Sequence, residues 1–297
     1  MTGGAGFIGS HVVDLLLNNH TITIYDNLSN SSKSTINSSI KKGVQFIKGD
    51  ILDYEMLVKY SKGFDLVIHL AAKTDVTESV IHQEKIEKIN VNGTINVVRC
   101  CIENNVKKII FSSSAAVYGD SKVSTTENTK TNPLSPYGIS KLLAENKIKR
   151  MAENKIEYVI LRLFNVYGKR QNKQHTDVIS NFIENISKDK PFVIYGNGEQ
   201  VRDFISIKDV VNAFHCAIKI NSNGIYNIAT GKSISINELS KIFLDMSRKK
   251  INIKYESAKK ADIKYSKADI TLAKKELGFK PKINLKYGLL DLISISN

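Results

Sequence analysis

The chain has 297 residues and a formal net charge of +14, with 42% hydrophobic and 24% charged residues. At about 150 residues per domain this is one large domain or two modest ones, with enough apolar residues for a sizeable core. The most apolar stretches, such as 12–17 with Asp14 inside it, are far too short to span a bilayer, and the first residues lack the basic and apolar regions of a signal peptide. A cytoplasmic protein with no membrane partner is therefore expected. Cys100, Cys101 and Cys216 match neither a disulfide framework nor a metal-ligand spacing, so they read as small core residues and no metal is expected. Lysines occur singly or in pairs along the whole chain, which argues against nucleic acid and for a small anionic ligand.

In chain order, short β-branched runs at 21–26, 44–50, 65–70, 108–114 and 157–163 read as strands. Helical patterns lie between them, beginning with Ile8, Val12, Leu15 and Leu16 on one face and including a long stretch at 136–154 that opens on Pro136. Strands alternating with helices predict parallel βαβ units in a doubly wound sheet, with ligands at the carboxyl ends of the strands. After residue 164 the rhythm changes, with strands expected at 192–195 and 225–228 and helices near 178–187, 209–220 and 237–248. The expected division is a dinucleotide-binding unit at 1–164, to which 205–222 returns, and a smaller α/β unit at 165–297.

Gly3, Gly6 and Gly9 stand at three-residue spacing before the first helix, where glycine lets backbone approach a pyrophosphate and the helix N-terminus offers free N–H groups. The strand at 21–26 ends on Asp26, 17 residues past Gly9. A carboxylate there suits a ribose and repels a 2′-phosphate, which favours NAD over NADP. The strand that should precede the glycines has no residues in the chain, which starts Met1-Thr2, so about 5–6 further native residues are expected before Met1.

Tyr137 and Lys141 lie four residues apart on one helix face, and an ammonium beside a phenol lowers its pKa toward use as a base. The serine run 112–114 follows an apolar strand and brings hydroxyls to its carboxyl end. With the glycine loop, Asp26 and His69-Leu70-Ala71-Ala72, these motifs resemble the extended short-chain dehydrogenase/reductases, and more narrowly the UDP-sugar 4-epimerases. The resemblance runs from residue 2 nearly to the end. It implies a Rossmann sheet with a nucleotide-sugar unit, and NAD-dependent epimerisation at C4 of a UDP-hexose, UDP-glucose or UDP-galactose, through a 4-keto intermediate.

By the same resemblance Tyr137 is the base, Lys141 holds the nicotinamide ribose, and Ser114 bonds the reacting oxygen. The cofactor residues it implies are Gly3, Gly6, Phe7, Ile8, Gly9, Asp26, Asn27, Asp50, Ile51, Leu70, Ala71 and Ala72. The substrate residues are Thr74, Asn165 in 161–168, and Arg202 in 195–204, whose planar fork suits a diphosphate. Near the C-terminus Lys259 stands where the family usually has Arg, three residues before Asp262. Ser266 occupies the place that in some members holds a bulky Tyr, and its small size predicts room for a 2-acetamido group. Related dehydratases carry an acid pair just after the position of Ser114, where this chain has Ala115 and Ala116. An epimerase acting on UDP-glucuronate, or a non-catalytic NAD-binding protein, is the competing reading. The resemblance also implies a homodimer joined by a four-helix bundle, for which 84–103 and 136–154 are the candidate helices.

Overall fold

A computed structural model describes residues 1–171, 177–247, 249–258 and 262–293. The first strands are β1 (Thr23–Asp26), β2 (Gln45–Lys48), β3 (Leu66–His69), β4 (Lys108–Ser114) and β5 (Glu157–Leu163). Next come β6 (Asn165–Tyr167), β7 (Phe192–Tyr195) and β8 (Val201–Ser206), followed by β9 (Gly224–Ile228), β10 (Ser233–Ser235) and β11 (Ile253–Glu256). β1 pairs with β2, and β3, β4, β5 and β9 pair in that order, every ladder parallel.

Met1 and Thr2 lie between these two groups. Thr2 bridges both Tyr25 and His69, with its N–H on the Ile68 carbonyl at 3.0 Å and its own carbonyl accepting from Leu70 at 3.0 Å. The glycine loop therefore leaves from the middle of the sheet, at the carboxyl ends of its neighbours. This is the doubly wound arrangement expected from strand and helix alternation.

Helices cover both faces because each carries an apolar stripe. Phe7–Leu16 packs beside Ile207–Lys219 on one face, where Val12, Val13 and Phe214 are buried. Gly93–Glu103 packs beside Pro136–Ala152 on the other, where Val97, Val98, Ala144 and Ile148 are buried. β9 hydrogen-bonds β5, so the chain returns to the first sheet through both the Ile207–Lys219 helix and this strand.

A separate apolar cluster lies under the remaining strands. β8 pairs with β6 and β10, and β7 pairs with β11. Their core centres on Phe182 stacked on Phe192 at 4.3 Å, with Phe243 edge-on to both.

Candidate active site

The glycine loop is shaped by contacts that exclude side chains. Gly3 has φ +70°, and a Cβ there would meet the Ala71 backbone nitrogen at 2.5 Å; one on Gly9 would meet the Gly3 carbonyl at 2.3 Å. Gly9 thus lets the Phe7–Leu16 helix start directly under the loop. The Ala5 N–H donates to Asp26 Oδ2 at 3.0 Å, while the Leu28 N–H and Ser31 hydroxyl donate to Oδ1 at 2.8 and 3.1 Å. Asp26 therefore ties the loop to the end of β1 at the edge of the groove.

Asn27 donates to Asp50 Oδ2 at 2.8 Å across the same groove. Gly3, Gly6, Asp26, Asn27, Asp50, Ile51, Leu70, Ala71 and Ala72 line it together. Phe7 and Ile8 open the helix that follows the loop, and their half-buried side chains pack against the core. Asn30, Ser31 and Lys73 also line the groove, with Lys73 Nζ on Asn30 Oδ1 at 2.8 Å. They carry no motif of their own, so the sequence alone did not single them out.

Pro136–Ala152 starts where capping chemistry puts it. Ser135 accepts the Gly138 N–H at 3.1 Å and Pro136 fills the first turn. Gly138 lets that turn press on the loop after β4, since a Cβ would lie 2.7 Å from the Ala116 carbonyl. Tyr137 is thereby brought beside Ser114, whose hydroxyl accepts the Ala116 N–H at 3.1 Å.

Lys141, one turn on, is buried and donates to the Ser112 carbonyl at 2.8 Å. Burial pushes the Tyr137 phenol up to about 12, with the Ser114 bond opposing, and draws Lys141 down to about 8, with Glu145 opposing. The expected lowering of the phenol by the ammonium is not what the protein alone provides. Burial sets the direction for the phenol, and the Lys141 ammonium is bonded to the Ser112 carbonyl instead.

Asn90 was not anticipated. It is buried, accepts the Lys73 N–H at 2.8 Å, and donates to the Lys73 carbonyl and the Ser140 hydroxyl, both at 2.9 Å. It sits in a π-helical turn, Lys88–Asn92, and links the cofactor loop after β3 to the Tyr137/Lys141 helix. An amide in the middle of an expected helix was the available signal; its partners are remote in sequence.

On the other side of the cleft, Asn165, Arg202 and Asp262 line a cavity of about 260 Å³ with Tyr195 and Gln200. Arg202 Nη2 donates to Asp262 Oδ1 at 2.6 Å, so the two predicted substrate residues are paired with each other rather than Arg202 with Asp203 or Asp209. Ser266 joins this edge through its N–H on the Val201 carbonyl at 3.0 Å. Thr74 is exposed and lines neither cavity. Lys259 lies outside the described residues. Among the described residues no group of three or more His, Cys, Asp or Glu is placed to hold a metal, and no helix is long and apolar enough to cross a membrane.

A doubly wound sheet with a glycine loop, a ribose carboxylate and a Ser/Tyr/Lys cluster at the carboxyl ends of its strands defines an extended short-chain dehydrogenase/reductase. The model of the NAD dependent epimerase/dehydratase family matches residues 1–229, and the chain belongs to that family as an NAD-dependent nucleotide-sugar epimerase. It is 40% identical to a putative UDP-glucose 4-epimerase of Methanocaldococcus jannaschii, over 99% of this chain and 96% of the relative. Among solved structures it is similar to UDP-glucose 4-epimerase with UDP-glucose from Thermotoga maritima (35% identity, TM-score 0.94, 99% and 96% of the two chains covered). It is equally similar to UDP-N-acetylglucosamine 4-epimerase from Methanobrevibacter ruminantium with UDP-N-acetylmuramic acid (38% identity, TM-score 0.94, 99% and 96% covered).

Proposed function

We propose that the protein interconverts the C4 epimers of a UDP-hexose and admits a 2-acetamido group as well as a hydroxyl at C2. The observation that carries the reading is the convergence of Ser114, Tyr137 and Lys141 with Ala115 and Ala116 following. Base and hydroxyl are present, while the neighbouring acid pair that elimination of water would require is replaced by methyl groups.

The groove residues fit NAD. Gly3 and Gly6 leave room beside its phosphates, Asp26 offers ribose acceptors, and Ile51 and Asp50 bound the adenine end. Bound there, NAD supplies a reversible hydride acceptor and a positive charge. Tyr137 takes the proton of the C4 hydroxyl and later returns it, and Ser114 holds that oxygen by a hydrogen bond. Lys141 contributes the ammonium that favours the phenolate in the loaded site. Epimerisation requires the transient 4-keto sugar to expose either face, so the anchoring falls on the diphosphate: Arg202 as a planar donor and Asn165 as a neutral one. Asp262 orients Arg202 until the diphosphate arrives.

Size at position 266 supports the wider sugar range. Ser266 stands beside the strand of Arg202 and is small. The three free thiols suit a reducing, cytoplasmic setting. Exposed Ile139 and Leu143 on Pro136–Ala152, which packs beside Gly93–Glu103, suit a homodimer through a four-helix bundle formed with 84–103.

Incubation of the NAD-loaded protein with UDP-glucose, UDP-N-acetylglucosamine and UDP-glucuronate, followed by anomeric NMR, tests the reading. The C4 epimers of the first two are expected, without net NADH. Conversion of UDP-glucuronate alone would replace the substrate assignment, and no conversion of any would reject epimerisation of these sugars. Ser266→Tyr is expected to lose the N-acetyl substrate selectively.

A further inference from the structure

Behind the Tyr137/Lys141 pair lies a buried ion pair that the mechanism above does not use. Glu145, four residues beyond Lys141 on the same helix, is 0% exposed, and Arg162 on β5 is 3% exposed. Arg162 grips the carboxylate with two bonds, Nε to Oε1 at 3.0 Å and Nη2 to Oε2 at 2.7 Å. The Ser113 hydroxyl donates to the same Oε1, and Ser113 is the cross-strand partner of Arg162.

One helix face thus holds three successive serines of β4. Lys141 bonds the Ser112 carbonyl and Glu145 the Ser113 hydroxyl, and Tyr137 lies beside Ser114. Arg162 extends the lock to the loop beyond: Nη1 donates to Tyr118 OH at 2.9 Å, the guanidinium lies over that ring at 4.8 Å, and Tyr118 donates to Asn227 at 2.6 Å.

We propose that Glu145, held by Arg162, is a positioning residue that fixes Lys141 against the strand end carrying Ser114 and supplies the negative charge that keeps the Lys141 ammonium protonated. The proposal rests on the epimerase reading for its effect on turnover, but its geometric part does not. A buried carboxylate with this desolvation cost is retained only where its partners are well placed, and replacement of such pairs by apolar groups is often neutral for stability. Fold stability alone therefore does not account for the pair.

The charged and titratable groups around Lys141 set the sign. Its own helix contributes Tyr137 and Glu145, and β4 contributes the Phe111 ring, 4.8 Å from Nζ, and the Ser112 carbonyl. β3 contributes His69, held neutral by burial, beyond which lies the Met1 amine; β5 contributes the Arg162 cation. Glu145 is the anion that raises Lys141, against the burial that draws it down to about 8.

Glu145→Gln keeps the shape and removes that charge. Lysine labelled with 13C at Cε, with the Lys141 resonance assigned by its loss in Lys141→Met, reports the titration directly in NAD-loaded protein. The Lys141 midpoint is expected to fall by about one pH unit in Glu145→Gln, and the alkaline limb of kcat to move with it while KM changes little. Glu145→Gln/Arg162→Met leaves no unpaired buried cation, so it carries the test if the single variant does not fold, and the same downward direction is expected. An unchanged Lys141 midpoint in the folded variants, with kcat lowered evenly at all pH values, would overturn the proposal. A shifted midpoint in a protein that turns over no UDP-sugar would uphold the lock and reject the epimerase reading instead.

Discussion

At the residue scale, protonation is governed by burial before it is governed by neighbours. His69 shows this clearly. Its Nδ1 meets the Thr2 hydroxyl at 2.7 Å and its Nε2 the Thr94 hydroxyl at 2.9 Å. Thr94 already donates to the Asn90 carbonyl at 2.6 Å, so it accepts from Nε2–H, and Nδ1 accepts from Thr2. The ring is therefore neutral in one tautomer, and burial draws its pKa from 6.5 to about 3. Protonation is easier in the unfolded chain, so stability present above the ordinary histidine range is lost as pH falls below it, at up to about 1.4 kcal/mol per pH unit. Melting temperatures at pH 7 and pH 5 are expected to differ more for the native protein than for His69→Gln; equal differences would assign the loss to another group. Tyr137→Phe removes only the titrating hydroxyl, and a fall in kcat of roughly 10²–10⁴-fold is expected, with NAD content of the purified protein unchanged. A smaller fall would transfer the proton step to another group.

At the scale of elements, close backbone approach decides where the helices can start. Gly9→Ala would force a methyl into the Gly3 carbonyl, and overpacking of this kind costs about 1–3 kcal/mol. Calorimetry is expected to show a lower Tm together with loss of bound NAD, because the same movement opens the phosphate loop. Asn90 acts between elements rather than within one. Asn90→Ala leaves the Lys73 N–H and carbonyl without their partner, at about 1–3 kcal/mol. Urea unfolding should register that loss, and NAD affinity should fall with it, since Lys73 and Ala72 share the loop that borders the cofactor. Full NAD affinity in a destabilised variant would confine Asn90 to a structural role.

For the whole molecule, Ser114, Tyr137 and Lys141 lie at the end of the parallel sheet, and the proposed diphosphate anchor is on the strands that follow it. Asn165 begins β6 two residues after β5 ends, and Arg202 lies on β8, which pairs with β6, so the anchor is built on strands continuous with the catalytic sheet. The other large-scale feature is the exposed apolar pair on Pro136–Ala152, where Ile139 is 41% and Leu143 37% exposed. Ile139→Glu/Leu143→Glu is expected to shift the sedimentation coefficient from dimer to monomer with the sheet intact. A native protein that sediments as a monomer would reject the bundle.

The local signals were strong enough to be read without a structure. Glycine spacing, the carboxylate ending a strand, the capped helix with Tyr137 and Lys141 and the β-branched runs each depend on neighbours within a few residues. β4 and β5 run over 108–114 and 157–163, as their β-branched pattern indicates, because both are buried on two faces. The short strands β6, β8, β10 and β11 left no such pattern, since their pairing partners lie far along the chain.

The same limit applies to the site. The glycine loop, Asp26 and the Tyr137/Lys141 pair are legible in the chain, because each signal lies within a few residues. It took the folded chain to show that Lys73 lines the groove with buried Asn90 bonded behind it, that Arg202 is paired with Asp262, and that Glu145 and Arg162 stand behind Lys141. Those relations depend on burial and on contacts between distant segments, and burial, which moves Tyr137 and Lys141 away from their ordinary protonation ranges, exists only once the chain has folded.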